Sequence, residues 1–239
     1  MKSLAIESSS LVASAAILED DVLIAEYTTN HKITHSQTLL PMINEIISMT
    51  NTDKKSIDAI AVSGGPGSYT GLRIGSATAK GIGMALDIPL IHVPTIDAMA
   101  YNAYGYNGII VPIMDAKRSQ VYTGIFRFDD NGFNTILKNS AISVDELLKN
   151  VLDVAADDKI LFIGDGIPAY KNIIEDRLDG RVKYEFAPAN MNRQRAASVA
   201  VLGACYMEQG KCENASEHLP EYLRLSQAER ELQERISKQ

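Results

Sequence analysis

The sequence is poor in the features that mark several large protein classes. It holds two cysteines among 239 residues, Cys205 and Cys212. They form neither a Cys-x-x-Cys pair nor a metal-spaced set, so reduced thiols and a cytoplasmic location are expected. There is no dense lysine or arginine run, and the net charge is −7. A protein that grips nucleic acid alone carries a basic footprint, so any RNA in its function is expected to be held mostly by another subunit. No segment combines the length and apolarity of a membrane span: "AMAYNAYGYNGIIVPIM" lacks charge but is rich in Asn, Gly and Tyr. At the N-terminus, Glu7 interrupts the apolar stretch too early for a signal peptide. What is present is an ordinary globular composition, 46% hydrophobic and 22% charged. The length suits one large domain or two modest ones.

Three strands are expected first: Ser3–Glu7, then Leu11–Leu18 and Val22–Thr28 around a turn at "EDD". A helix follows near Ser36–Met49, where Leu39, Leu40, Ile43, Ile46 and Ile47 keep helical spacing. Pro41 is expected in or near its first turn. Ile57–Ser63 reads as a buried strand, Thr70–Leu86 as a helix, Pro89–Val93 as a strand and Thr95–Tyr104 as a helix with Thr95 as N-cap. The order then repeats. Ile109–Asp115, Gln120–Phe128 and Phe133–Leu137 are expected strands, with "DDNG" a turn between the last two. Ser143–Leu152 is a helix opened by a capping box of Ser143 and Glu146. Lys159–Ile163, Pro168–Leu178, Val182–Phe186 and Arg195–Gln209 complete the series as strand, helix, strand, helix. Such a duplication implies α/β architecture, with mixed sheets and helices on their faces. The charged tail "PEYLRLSQAERELQERISKQ" reads as a solvated terminus or a short helix.

The stretch "SGGPGSYTGLRIGSATAKGIG", Ser63 to Gly83, stands out. A glycine-rich loop before a helix can bind phosphate through free backbone N–H groups. A Walker-type loop, however, ends in Gly-Lys-Ser/Thr, and here Thr70-Gly71-Leu72 lacks the lysine. Gly65-Pro66-Gly67-Ser68-Tyr69-Thr70 likewise lacks the last glycine of a dinucleotide fingerprint. Inside the helix each glycine costs about 1 kcal/mol relative to alanine, so Gly71, Gly75, Gly81 and Gly83 need a compensating contact. Gly71, Gly75, Ala79 and Gly83 recur at every fourth residue. Their spacing makes a groove without side chains. It faces either the chain's own sheet or a helix of another chain. His31 and His35 form a His-x-x-x-His, but no Glu follows His31, and the pair lies where strand passes to helix. His35 is expected to cap or flank the helix start rather than bind metal.

"LAIESSS", "HSQTLLPMI", "AVSGGPGSYTGLRIGSATAKGIG", "IPLIHVPTIDAMA", "MDAKRSQVYTGIF", "FIGDG" and "PEYLR" occur in this order. Together they resemble the TsaB (YeaZ) family over nearly the whole chain, most weakly from about Leu137 to Pro188. The resemblance implies duplicated ribonuclease-H-like halves of the sugar kinase, Hsp70 and actin (ASKHA) superfamily. Lobes of residues 1–105 and 106–239 are expected, with the last helices packing back on the first lobe. It also implies a non-catalytic scaffold in tRNA threonylcarbamoyladenosine synthesis, paired with the transferase TsaD. On that pair the ATPase TsaE docks, and tRNA is met only through the complex. No metal and no cofactor are expected for the chain alone, which is expected to form homodimers.

In the superfamily's kinases, two turns hold phosphates. The matching turns here, Glu7-Ser8-Ser9-Ser10 and Asp115-Ala116-Lys117-Arg118, lack glycine. With Gly164, Asp165 and Gly166 they resemble an eroded nucleotide cleft, in which Lys117 and Arg118 would crowd the second turn. TsaD's metal-binding histidines correspond to Thr95 and Met99, neither of which supplies imidazole. The resemblance points to a partner surface of Leu39, Leu40, Ile43 and Ile47 with Gly71, Leu72, Arg73, Gly75, Ser76, Ala79 and Lys80. The alternatives are an active phosphotransferase or nucleotide hydrolase of the superfamily, or a homodimer without partner.

Overall fold

The computed structural model describes residues 1–31, 33–130 and 132–224. The first half runs β1 (Lys2–Glu7), β2 (Ala13–Glu19), β3 (Val22–Thr29), α1 (His35–Met49), β4 (Ala59–Gly65), α2 (Tyr69–Leu86), β5 (Leu90–Pro94) and α3 (Thr95–Tyr101). The second runs β6 (Ile109–Asp115), β7 (Gln120–Asp129), β8 (Gly132–Ser143), α4 (Val144–Ala155), β9 (Ile160–Ile163), α5 (Ile167–Leu178), β10 (Tyr184–Phe186) and α6 (Ala196–Glu208). The sheets have the same order, β3-β2-β1-β4-β5 and β8-β7-β6-β9-β10. In each, three antiparallel strands are extended by two parallel ones. The duplication expected from the order of elements is therefore realised strand for strand.

Period-two alternation explains how each sheet is covered. In the first sheet Leu4, Ile6, Ile60 and Val62 point to one side and pack with Leu39 and Ile43 of α1 and Ala79 of α2. Ala5, Ala59 and Ala61 point to the other, where α6 lies with Val199, Ala200 and Leu202. The small side chains let that helix come close: a Cβ on Gly203 would stand 2.7 Å from the Ala61 Cβ. The start of α6 is capped from the first half. Ser14 Oγ accepts the Ala196 N–H (3.1 Å), and Glu26 Oε1 accepts that of Ala197 (3.0 Å). Glu26 also pairs with Arg195. Conversely, Ile96, Met99, Ala100 and Ala103, from α3 and the residues just after it, pack with Ile110, Met114, Phe126, Leu161 and Ile163 of the second sheet. Each half thus sends its last helix against the other.

Several local expectations need correction. Pro41 lies in the second turn of α1, on its exposed side. Thr95 is the first residue of α3, after Pro94 as N-cap, and its hydroxyl bonds that of Ser63 at 2.7 Å. Strand β8 continues through Lys138-Asn139-Ser140 to Ser143, because pairing with β7 overrides the polar sequence. Ser143 Oγ caps α4 on the Glu146 N–H at 3.1 Å. The tail does not begin as a solvated end. After α6 the chain runs along β5, exchanging backbone hydrogen bonds between Leu90 and Glu213 (3.0 and 2.9 Å). It then lays Tyr222 against Tyr69, ring centres 4.7 Å apart. The remainder of the tail, residues 225–239, lies outside the described residues.

Candidate functional site

A cavity of about 620 Å³ opens between the lobes, lined by the turn after β1, the start of α2, the turn after β6 and Asp165. Glu7 ends β1 and is 1% exposed. Its Oε1 accepts the N–H (2.6 Å) and hydroxyl (2.5 Å) of Ser9, while Oε2 is enclosed without a partner. Burial pushes its carboxyl above the usual range, and Ser9 only partly opposes this. The Ser8 hydroxyl donates to the Gly71 carbonyl at 2.9 Å, and the Ser68 N–H donates to the Ser9 carbonyl at 2.6 Å. Ser68 also caps α2, its Oγ accepting the Gly71 N–H at 3.3 Å. His35 donates from Nε2 to the Ser10 carbonyl at 2.7 Å and so flanks the start of α1. Gln194, 1% exposed, accepts the Ser10 hydroxyl at 2.9 Å.

The second turn is committed to itself in the same way. Asp115 accepts the Lys117 N–H at 2.8 Å and pairs with the Lys117 ammonium at 2.6 Å. Partial burial would raise its carboxyl, but the two Lys117 contacts outweigh this and hold it below the usual range. Lys117, Arg118 and Ser119 are all left-handed, with φ of 64°, 56° and 57°, a backbone that side chains disfavour. Asp165 sits opposite, pushed up by burial, with the Arg193 charge opposing. Gly164 has φ of 128°, and a Cβ there would stand 2.2 Å from the Ile113 carbonyl oxygen, which fixes glycine at this position. Of the six residues expected in the cleft, Asp115 and Asp165 line the cavity, whereas Glu7 and Ser8 are buried and Gly164 and Gly166 pack against β6.

The partner-surface residues divide differently from expectation. A Cβ on Gly71 would stand 2.1 Å from the Ser8 carbonyl oxygen, one on Gly75 2.2 Å from the Ser8 hydroxyl, and one on Gly83 2.5 Å from Leu90. The glycine stripe is thus filled by the chain's own β1, its turn and β5, and offers no open groove. Leu39, Ile43, Leu72, Ser76 and Ala79 are buried with it. Leu40 is 55% exposed, and Ile47 is half-buried. Arg73 lies over Tyr69 and donates to the Tyr222 hydroxyl at 3.3 Å, while Lys80 donates to the His218 carbonyl at 3.0 Å. Both cations therefore hold this chain's own C-terminal segment. The small residues of α2 that do face outward are Ala77, Gly81 and Ala85. Thr95 is bonded to Ser63, and Met99 is enclosed by aliphatic and aromatic side chains.

The paired sheets and the cleft between them define a protein of the sugar kinase, Hsp70 and actin class. Residues 23–232 match the family model described as TsaD: tRNA N6-adenosine threonylcarbamoyltransferase. The chain is 33% identical over 231 residues to the tRNA threonylcarbamoyladenosine biosynthesis protein TsaB of Bacillus subtilis, 96% of each being covered. With the TsaB of Escherichia coli it is 34% identical over 134 residues, 55% of this chain and 58% of that one. It belongs to the TsaB (YeaZ) family. YeaZ from Pseudomonas aeruginosa shares the fold at TM-score 0.74 and 24% identity, covering 93% of this chain and 99% of that one. A second solved chain, described by its similarity to peptidase YeaZ from Pseudomonas aeruginosa, shares it at TM-score 0.78 and 23% identity, with the same coverage. Among the described residues no helix is long and apolar enough to cross a membrane.

Proposed function

We propose that the chain is a non-catalytic subunit in tRNA threonylcarbamoyladenosine synthesis, supporting a TsaD-type transferase in the cytoplasm. The family membership supports the pathway. The observation that carries the scaffold role is that the loop N–H groups and Lys117 are already bonded within the chain. Ser68 N–H is bonded to Ser9, the Gly71 N–H to Ser68, and Lys117 to Asp115. A phosphate would have to displace each of these. The family resemblance matches Thr95 and Met99 to the transferase's histidines, and here one offers an occupied hydroxyl and the other an enclosed thioether.

The pairing surface in this reading is the outer side of α1 and α2, where Leu40 and Met84 are 55% and 62% exposed and a Cβ on Gly81 would meet nothing within 4 Å. Association would draw on burial of these aliphatic groups, at about 25 cal/mol per Å² of apolar area before association costs. TsaE would dock on the resulting pair, tRNA would be met through it, and the same surface would make homodimers when the partner is missing. Purified chain, given threonylcarbamoyl-adenylate and unmodified tRNA, is expected to form no modified tRNA until TsaD is added. Product above a no-enzyme control without TsaD would overturn the reading.

A nucleotide-binding reading is favoured by the size of the cleft and by the unpartnered Glu7 oxygen beneath it. Calorimetry with Mg-ATP separates the two. The scaffold reading expects a dissociation constant no better than roughly 100 μM, or about 5.5 kcal/mol, and low-micromolar binding would favour the second.

A further inference from the structure

Where the segment after α6 crosses the free edge of β5, three side chains of metal-binding type meet away from the cleft. His92 belongs to β5. Glu213 and His218 come from the crossing segment, which the Leu90–Glu213 backbone pair and Lys80 hold in place. One donor atom from each of the three lies within 4.8 Å of the others. The two imidazole centres are 5.6 Å apart.

His218 is fully buried, and its Nδ1 lies 2.6 Å from Glu213 Oε1. A carboxylate only accepts, so Nδ1 carries the proton and the lone pair of the neutral ring falls on Nε2. That nitrogen is enclosed and has no partner. Buried polar atoms are seldom left so, and a carboxylate on the far nitrogen is the usual support of a metal-bound histidine. His92 is held flat against bare backbone: a Cβ on Gly64 would stand 2.1 Å from its Cε1. Glu221 adds a second carboxylate oxygen 3.9 Å from His92 Nε2.

We infer that His92 and His218, with Glu213 orienting the His218 ring from its far nitrogen, form a site for one divalent transition-metal ion of the zinc class, which fastens the C-terminal segment to β5. Two imidazoles suit such an ion, with the Glu221 carboxylate beside His92 and water completing the shell. Cys212 lines the same small cavity as His92 and Glu213 and is exposed, so its thiol is the obvious source of adventitious binding.

The test uses the full chain, free of affinity tag and stripped with chelator, titrated with Zn²⁺ in competition with a chromophoric chelator. One equivalent is expected to bind with a dissociation constant of about 10 μM or better. His92→Gln and His218→Gln should each weaken binding at least about tenfold, and Cys212→Ser should bind as the natural chain does. Zn²⁺ should raise the melting temperature of the natural chain and leave that of His92→Gln unchanged. If the buried His218→Gln variant fails to fold, the partly exposed His92→Gln decides alone. Absence of saturable binding below roughly 100 μM, stoichiometric binding that survives His92→Gln, or binding abolished by Cys212→Ser alone would each overturn the site.

Discussion

A Cβ at Gly75 would stand 2.2 Å from the Ser8 hydroxyl oxygen, and the longer leucine side chain would run on toward Ser8 and Ile6. Gly75→Leu should therefore destabilise the fold by about 1–3 kcal/mol or more, as overpacking does, lowering the melting temperature by roughly 2–4 °C for each kcal/mol in a chain of this size. Gly81→Leu, facing open space, should melt at or above the natural temperature, since leucine is the better helix former. If Gly81→Leu also pairs with TsaD at natural affinity, the outer side of α2 is not the partner surface. Glu7 gives a second test at this scale. Its folded pKa is raised by burial, so the folded state holds its proton longer than the unfolded chain does. The contribution of Glu7 to stability is then greatest below the unfolded value of 4.5 and falls as pH rises through the interval up to the folded value. Glu7→Gln keeps the acceptor for Ser9 without the charge. Its melting temperature should exceed that of the natural chain at neutral pH, with the gap closing toward pH 4. A gap independent of pH would mean that Glu7 is not titrating in this way.

At the scale of elements, α6 shows what local sequence carries and what it leaves out. Its run of apolar residues was legible as a helix, as were the alternating strands of both sheets and the order that repeats them. Its cap was not. Ser14 and Glu26 reach its first N–H groups from strands far earlier in the chain, and no local pattern announces such a contact. The same holds for the glycine stripe. Its spacing revealed a close approach, but whether β1 or a foreign helix made that approach was settled only by where β1 lies. In the candidate site, the loss of glycine from both turns was visible, whereas the bonds that tie Ser9 to Ser68 and leave Glu7 half-satisfied are tertiary facts. The meeting of His92 with Glu213 and His218 joins residues too distant for a spacing rule. Glu26→Ala should cost about 1–2 kcal/mol, the range for a lost cap with a favourable carboxylate at a helix start. The melting temperature should fall by roughly 2–8 °C. An unchanged melting temperature would show that α6 does not depend on this cap.

At the scale of the molecule, the C-terminal segment connects the lobes. It pairs with β5, bonds Gly64 through the Glu221 N–H at 2.7 Å, and places the Arg224 guanidinium on the Ala116 carbonyl of the second-lobe turn. Arg224→Ala should leave the melting temperature nearly unchanged, because a single partly exposed contact is removed. It should nevertheless speed amide hydrogen exchange at residues 116–120, whose left-handed turn loses its brace from the first lobe. Unchanged exchange there would show that the contact does not restrain the lobes.

The crossing of the final helices has a consequence for how the chain is born. During synthesis the first sheet is complete once β5 has left the ribosome, but the helix that covers its alanine-lined face is among the last elements made. Translation at about 5–20 residues per second leaves that face bare for seconds while the entire second sheet is produced. The nascent first half therefore keeps an apolar face in water until α6 is made. A fragment ending after α3 would lack its α6 cover permanently.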